Sequence, residues 1–328
     1  MWLENLQYTK YYNESHSKLM PMKSIVIIFP YFGTLPPQYP MWRASALCNP
    51  SVDFMFFTDA DVQPADNIIV HKMTFADFRQ LVQKAFDFKI VLDRPYKLCE
   101  YKQAYGYILQ DYIKKYDFWG FGDLDLVYGD IRSFITEDVL KKKFLSGWGH
   151  LTILRNDQDA ITYFMHQETG YQNYKEAFTT SSITYFDEYG YNGCSDKWRD
   201  FRSEDCWLDC PFDNASKPKQ SYHFNSLNRG WQQVIFEHIN NKLYMIRYND
   251  GKLEKQESLY AHFQHRGFMK DRVTNYQHFL VIPRAIIDYP QHFVDFKLRW
   301  YCRNRSWMTK YYQWKDLIIW KLGLFKNK

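Results

Sequence analysis

No apolar run in this chain approaches the roughly 20 residues that cross a bilayer, and its first residues do not couple a hydrophobic stretch to a small-residue cleavage site. Membrane-spanning and secreted readings are therefore not expected. The six cysteines, at 48, 99, 194, 206, 210 and 302, have no His or Cys pair at a matching zinc spacing. Free thiols in a reducing cytosol are expected, with Cys206 and Cys210 sharing a helix face. Repeats and low-complexity linkers are missing. So is a basic surface on the body of the chain: from Lys297 onward nine Lys or Arg stand against Asp316, a net of +8 where the whole chain carries +5, leaving the remainder at −3. A polyanion binder needs its cations on the folded domain, so no nucleic-acid partner is expected.

Aromatic residues, by contrast, are abundant. Tyr, Phe and Trp make up 20% of the 328 residues, far above an ordinary domain, and such faces serve both core packing and stacking on sugars or bases. In the tail the cations interleave with Trp300, Trp307, Tyr311, Trp314, Ile318 and Leu322. That mixture predicts a basic amphipathic helical tail lying on an anionic membrane surface through residues 297–328; a terminal helix packed on the domain is the alternative.

Strand and helix signals alternate early and give way to a hairpin late, which predicts an α/β fold with a mixed, mostly parallel sheet flanked by helices. SIVIIFP (24–30) and DFMFFT (53–58) read as buried strands and 67–70 as a third. Thr74 caps a helix over 74–86, with Asp77 three residues on. Apolar and aromatic positions between Cys99 and Tyr116 recur at three and four, predicting an amphipathic helix that leads into the strand 117–122. Residues 151–154 form another strand, and Asn249-Asp250-Gly251 turns a hairpin.

The segment DFWGFGDLDLVYGD (117–130) carries the chemistry. A buried aromatic strand ends abruptly in Asp123 and Asp125, one residue apart, where a loop opens. Both carboxylates can turn toward one divalent cation, which then bridges the phosphates of a nucleotide; Mg²⁺ and Mn²⁺ favour one or two carboxylates plus substrate oxygens. DLDLV also fits the aspartyl-phosphate pattern of haloacid-dehalogenase-type phosphatases, although that motif normally follows the first strand of its domain. A noncatalytic sugar-binding scaffold, with the two Asp merely holding a turn, is the third reading.

The segments IIFPYFG (27–33), FFTDAD (56–61), YKLCEYKQAYG (96–106), YDFWGFGDLDLVYGDI (116–131), GWGHLTILRN (147–156), FDEYG (186–190) and AHFQHR (261–266) together resemble a family of bacterial polysaccharide-biosynthesis glycosyltransferases long catalogued as a domain of unknown function. The likeness runs from about Lys23 to Lys270. It implies a GT-A-like nucleotide-diphospho-sugar transferase fold: an N-terminal extension (1–22), a GT-A domain (23–270) with a nucleotide-binding half (23–130) and an acceptor half (131–270), and a basic aromatic tail (271–328). It further implies that Asp123, Asp125 and His262 hold the metal, for which the imidazole favours Mn²⁺ over Mg²⁺. Tyr31, Phe32 and Gly33 would take the base and ribose, with Asp59 accepting from uracil or ribose. Lys97 and Lys102 would neutralise the diphosphate. Glu188, then Asp187, is the expected general base; Glu204 and Asp205, in the insertion 194–210, are the other acids in reach of that role. The implied activity is transfer of a hexose from a nucleotide-diphosphate sugar, UDP-hexose by preference, to a lipid-linked oligosaccharide in capsule or O-antigen synthesis. Such an enzyme would be cytoplasmic and peripheral on the inner face of the plasma membrane. Galactose, glucose and galactofuranose stay open as the sugar, as does retention against inversion.

Overall fold

The computed structural model describes residues 22–216, 224–263, 270–283, 285–303 and 306–321. Most of the 1–22 extension, His265 and Arg266 of AHFQHR, and Leu322 lie outside them. The fold is α/β with two mixed sheets.

The first sheet holds β1 (Ile25–Pro30), β2 (Val52–Thr58), β3 (Ile68–Lys72), β4 (Phe118–Gly122), β6 (Phe144–Leu145), β7 (Leu151–Arg155) and β8 (Cys206–Trp207), in the order β3-β2-β1-β4-β7-β6-β8. Its first four strands are parallel, and β7 runs antiparallel to β4. Strands covered on both faces need near-continuous apolar sequence, which is what IVIIFP supplies. Helices α1 (Tyr39–Leu47) and α2 (Phe75–Lys84) link the parallel strands, and α2 opens with the expected box: Thr74 accepts from the Asp77 amide while the Asp77 carboxylate accepts from the Thr74 amide.

The second sheet is mostly antiparallel, so the expectation of one largely parallel sheet holds for the first half of the fold only. It contains β5 (Leu126–Tyr128), β9 (Phe212–Ser216), β10 (Phe224–Ser226), β11 (Gln232–Ile239), β12 (Lys242–Asn249), β13 (Lys252–Ser258), β14 (Tyr260–His262), β15 (Lys270–Arg272), β16 (His278–Ile282) and β17 (Ala285–Asp288). The β12–β13 hairpin turns at Asp250 and Gly251, both at positive φ, as the Asn-Asp-Gly signal predicts.

Three local expectations are corrected. The helix expected over 99–116 is a 3₁₀ segment, Pro95–Ala104, followed by two single α turns, Tyr105–Ile108 and Gln110–Ile113. Leu109 leaves helical geometry between the turns, and Gly106, in the first of them, packs its backbone where a Cβ would lie 2.3 Å from the Trp119 ring. The segment 194–210, expected as an insertion, extends the first sheet. Its helix α3 (Cys194–Phe201) buries Trp198 against Phe144, ring centroids 5.2 Å apart, and β8 then pairs with β6; Cys206 sits in that strand rather than on a helix face with Cys210. Finally, the tail is helical only from α4 (Val294–Tyr301) and α5 (Ser306–Lys321), because β16 and β17 continue the second sheet to Asp288. All six cysteines are free thiols, as expected.

Candidate functional site

The two sheets meet at the carboxyl ends of β1 and β4, the place where an open α/β sheet offers a crevice. A cleft of about 550 Å³ opens there, walled by Tyr31, Phe32 and Tyr96 and floored by Asp123, Asp125, Glu188 and His262. Chain connectivity explains the floor. Asp123 to Asp125 is the link between β4 in the first sheet and β5 in the second, and β5 pairs antiparallel with β14 so that His262 lies opposite Leu126. That register carries an imidazole across 137 residues of sequence to within 3.4 Å of Asp125 Oδ1.

Asp123, Asp125 and His262 each present one ligand atom within 4.8 Å of the others, close enough together to hold one metal ion. Asp125 Oδ1 and His262 Nδ1 are buried without hydrogen bonds. Four carboxylates (Asp123, Asp125, Asp187, Glu188) gather here with Lys102 as the permanent cation among the described residues; its ammonium donates to Asp123 (2.8 Å) and to the Gly149 carbonyl (3.0 Å) and lies 3.2 Å from Asp187. Unfilled valences beside excess negative charge fit a hard divalent cation.

Electrostatics follow from the burial. Burial would lower the Lys102 ammonium, but Asp123 and Asp187 overcome it and raise it well above its usual value. Burial raises Asp187 to about 7 against the pull of Lys102, and burial likewise raises Glu188. For His262, burial opposes the charged form and Asp125 outweighs it, so its pKa rises. Asp187 lies behind the floor at 2% exposure, whereas Glu188 faces the cleft. The Glu188 carboxyl also occupies the space a side chain at Gly149 would need: a Cβ there would approach it to 2.9 Å, and φ at Gly149 is +73°.

The expected site residues divide clearly. Tyr31, Phe32, Lys102, Asp123, Asp125, Glu188 and His262 come together in the cleft, with Asp187 just behind. Lys97 does not: its side chain is fully buried on the other face of the 3₁₀ segment, where the ammonium donates to the carbonyls of Ala177 (2.9 Å) and Ser182 (2.5 Å). Asp59 accepts from the Gly33 amide at 2.8 Å and so holds the turn at the end of β1; neither residue is part of the cleft wall. Asp205 pairs with Arg202 on the surface of the insertion, and Glu204 is exposed beside it, both away from the cleft. Sequence reasoning did not assign to the site Tyr96, Cys99 and Tyr105, which join Lys102 in the wall, nor His150, whose ring stacks on His262 at 4.3 Å while its Nδ1 meets the Tyr260 hydroxyl at 3.0 Å. The signal for the first three was present, since 96, 99, 102 and 105 recur every three residues, the period of a 3₁₀ helix.

No curated protein matches the chain. A family model does, over residues 27–290, which starts within β1, runs through β17 and stops just before α4. The chain therefore belongs to a family of unknown function, DUF6625.

Proposed function

We propose that this protein is a metal-dependent glycosyltransferase of GT-A type that moves a hexose from a nucleotide-diphosphate sugar, UDP-hexose by preference, to a lipid-linked glycan at the inner face of the plasma membrane. One observation carries the reading: three residues able to hold a metal and a cleft-facing carboxylate, Glu188, share one aromatic-walled cleft at the ends of parallel strands. The parallel β3-β2-β1-β4 ladder, with β7 antiparallel and a second sheet closing the cleft, supports the GT-A assignment.

Within this reading Asp123, Asp125 and His262 hold Mn²⁺ or Mg²⁺. When bound, the ion supplies charge that stabilises the departing diphosphate. Tyr31 and Phe32 receive the base and ribose. Lys102, kept charged by its two carboxylates, adds a fixed positive end to the diphosphate side. Glu188 faces the cleft with a raised pKa and removes the proton from the acceptor hydroxyl as it attacks the anomeric carbon. Asp187 acts through Lys102 by positioning it.

Calorimetric titration of UDP-galactose and UDP-glucose, with and without Mn²⁺, into wild type and Asp125→Ala tests this. Mn²⁺-dependent binding to wild type that weakens about 100-fold in the variant is expected. Absence of nucleotide-sugar binding with any metal, or phosphate release from simple monoesters on adding Mg²⁺, would overturn it; the second result would favour a phosphatase using the same two aspartates.

A further inference from the structure

Half of the exposed large apolar side chains among the described residues fall between Phe293 and Ile318, a stretch of 26 positions. Their arrangement is not that of a helix end loosely packed on its domain. Helix α4 is already anchored on its inner side: Leu298 and Cys302 are buried against Ile246 and Leu280 of the second sheet. On its outer side Phe296 and Trp300 stack with ring centroids 6.4 Å apart, at 64% and 41% exposure. Phe293, at the N-cap, is 80% exposed and held at φ +54°, a left-handed conformation that costs a bulky residue free energy and here gains it no burial.

Helix α5 repeats the pattern with charge added. Trp307, Tyr311, Trp314 and Ile318 are exposed at spacings of four, three and four, so they fall within about 60° of one another around the helix. Exposed Lys310 and Lys321 flank that stripe on one side and Lys315 on the other. An aromatic stripe bordered by lysines on both sides suits the boundary between acyl chains and headgroups, where rings enter the apolar layer and ammonium groups reach upward to phosphates. Nine cations against one acid from Lys297 onward select for negative lipid. No helix among the described residues is long and apolar enough to cross a membrane, which leaves an in-plane attachment as the way these helices would meet lipid.

We propose that the outer faces of α4 and α5, Phe293 through Ile318, form a docking surface for an anionic phospholipid bilayer, with the aromatic stripe inserted and Lys310, Lys315 and Lys321 reading headgroup charge. This surface is independent of the donor cleft, and the two stand or fall separately.

The test is co-sedimentation of the full-length protein with large unilamellar vesicles of phosphatidylcholine containing 30% phosphatidylglycerol, and of phosphatidylcholine alone. Tryptophan emission and sedimentation velocity without lipid accompany it. Wild type is expected to bind the anionic vesicles with a blue shift in emission, and to bind about 100-fold more weakly when Lys310, Lys315 and Lys321 are all changed to Glu. Trp307→Ser with Trp314→Ser is expected to lose the blue shift and about tenfold in affinity while keeping the far-ultraviolet circular dichroism of wild type. Wild type that stays in the supernatant with both vesicle types would overturn the proposal. So would a concentration-dependent dimer that the double tryptophan variant abolishes, because the stripe would then belong to a second copy of the chain.

Discussion

Of the places where this fold buries carboxylates, two treat them in opposite ways. Asp213, on β9, is fully buried, and both of its oxygens are occupied: Ser226 donates at 3.0 Å, Arg229 lies at 3.0 Å, and Ser258 closes the other oxygen. Nothing in that nest is left to bind a ligand. In the cleft, Asp125 and His262 are also largely withdrawn from water, yet Asp125 Oδ1 and His262 Nδ1 lack hydrogen bonds, and Lys102 pairs with Asp123 and Asp187 and leaves Asp125 without it. A buried charge costs several kcal/mol unless paired, so a fold that satisfies Asp213 completely and Asp125 incompletely marks the second as the place where something else completes the set.

The comparison breaks first at Asp213. Asp213→Ala leaves the Arg229 guanidinium nearly buried without its partner and is expected to destabilise the protein by about 3–5 kcal/mol, read as a fall in the urea midpoint at unchanged m. Donor affinity, measured where the variant is still folded, should match wild type. A loss under about 1 kcal/mol would mean that a closed nest is no guide to structural importance.

Asp125→Asn is the mirror experiment. It keeps the shape of the side chain and relieves repulsion among four carboxylates, so the melting temperature is expected to hold or rise while Mn²⁺-dependent nucleotide-sugar affinity falls about 100-fold, roughly 2.7 kcal/mol. A variant that both melts earlier and binds normally would make Asp125 a structural residue. The lysines sharpen the same contrast. Lys102→Met should weaken donor binding about 30-fold, near 2 kcal/mol. Lys97→Met should leave donor affinity alone and cost about 1–3 kcal/mol of stability, because it strands the Ala177 and Ser182 carbonyls that its ammonium now satisfies.

Those two lysines also show where the sequence stops being readable. Strands β1, β2 and β4 are local events: an apolar run, then charge, then a loop, so Asp123 and Asp125 could be found without coordinates. The segment carrying Lys97 and Lys102 is local too, but its period was misread. With three residues per turn, positions 96, 99, 102 and 105 share the cleft face while 97, 100 and 103 turn inward, and a period between three and four cannot separate those sets. His262 was reached through family resemblance, not through the residues around it, because the β5–β14 pairing that places it is a long-range contact with no local signature. For the same reason the strands β16 and β17 were hidden inside a stretch whose basic, aromatic composition suggested a helical tail, and the 194–210 insertion revealed itself as a sheet edge only through the pairing of β8 with β6.

His238 probes whether orphaned polar atoms alone distinguish a site. Its ring on β11 is fully buried and stacks on Phe279 at 5.0 Å; neither nitrogen has a hydrogen-bond partner, yet it lines no part of the cleft. Burial, with a smaller contribution from nearby His278, lowers its pKa to about 4. An imidazole at about 6.5 in the unfolded chain then takes up a proton before the folded one does, so acid favours unfolding and stability is lost as pH falls from about 6.5 toward 4. Between pH 7 and 5 that loss should be roughly 1–2 kcal/mol, and the difference between urea midpoints at the two pH values should shrink by that much in His238→Leu. Donor affinity should not change. Equal acid sensitivity in the two proteins would remove the stability role, and lost donor binding would mean that unsatisfied atoms far from the cleft matter to it. The expected pair of results adds opening to the criterion: unsatisfied buried groups signal a site where they face a cleft, and a stability cost where they do not.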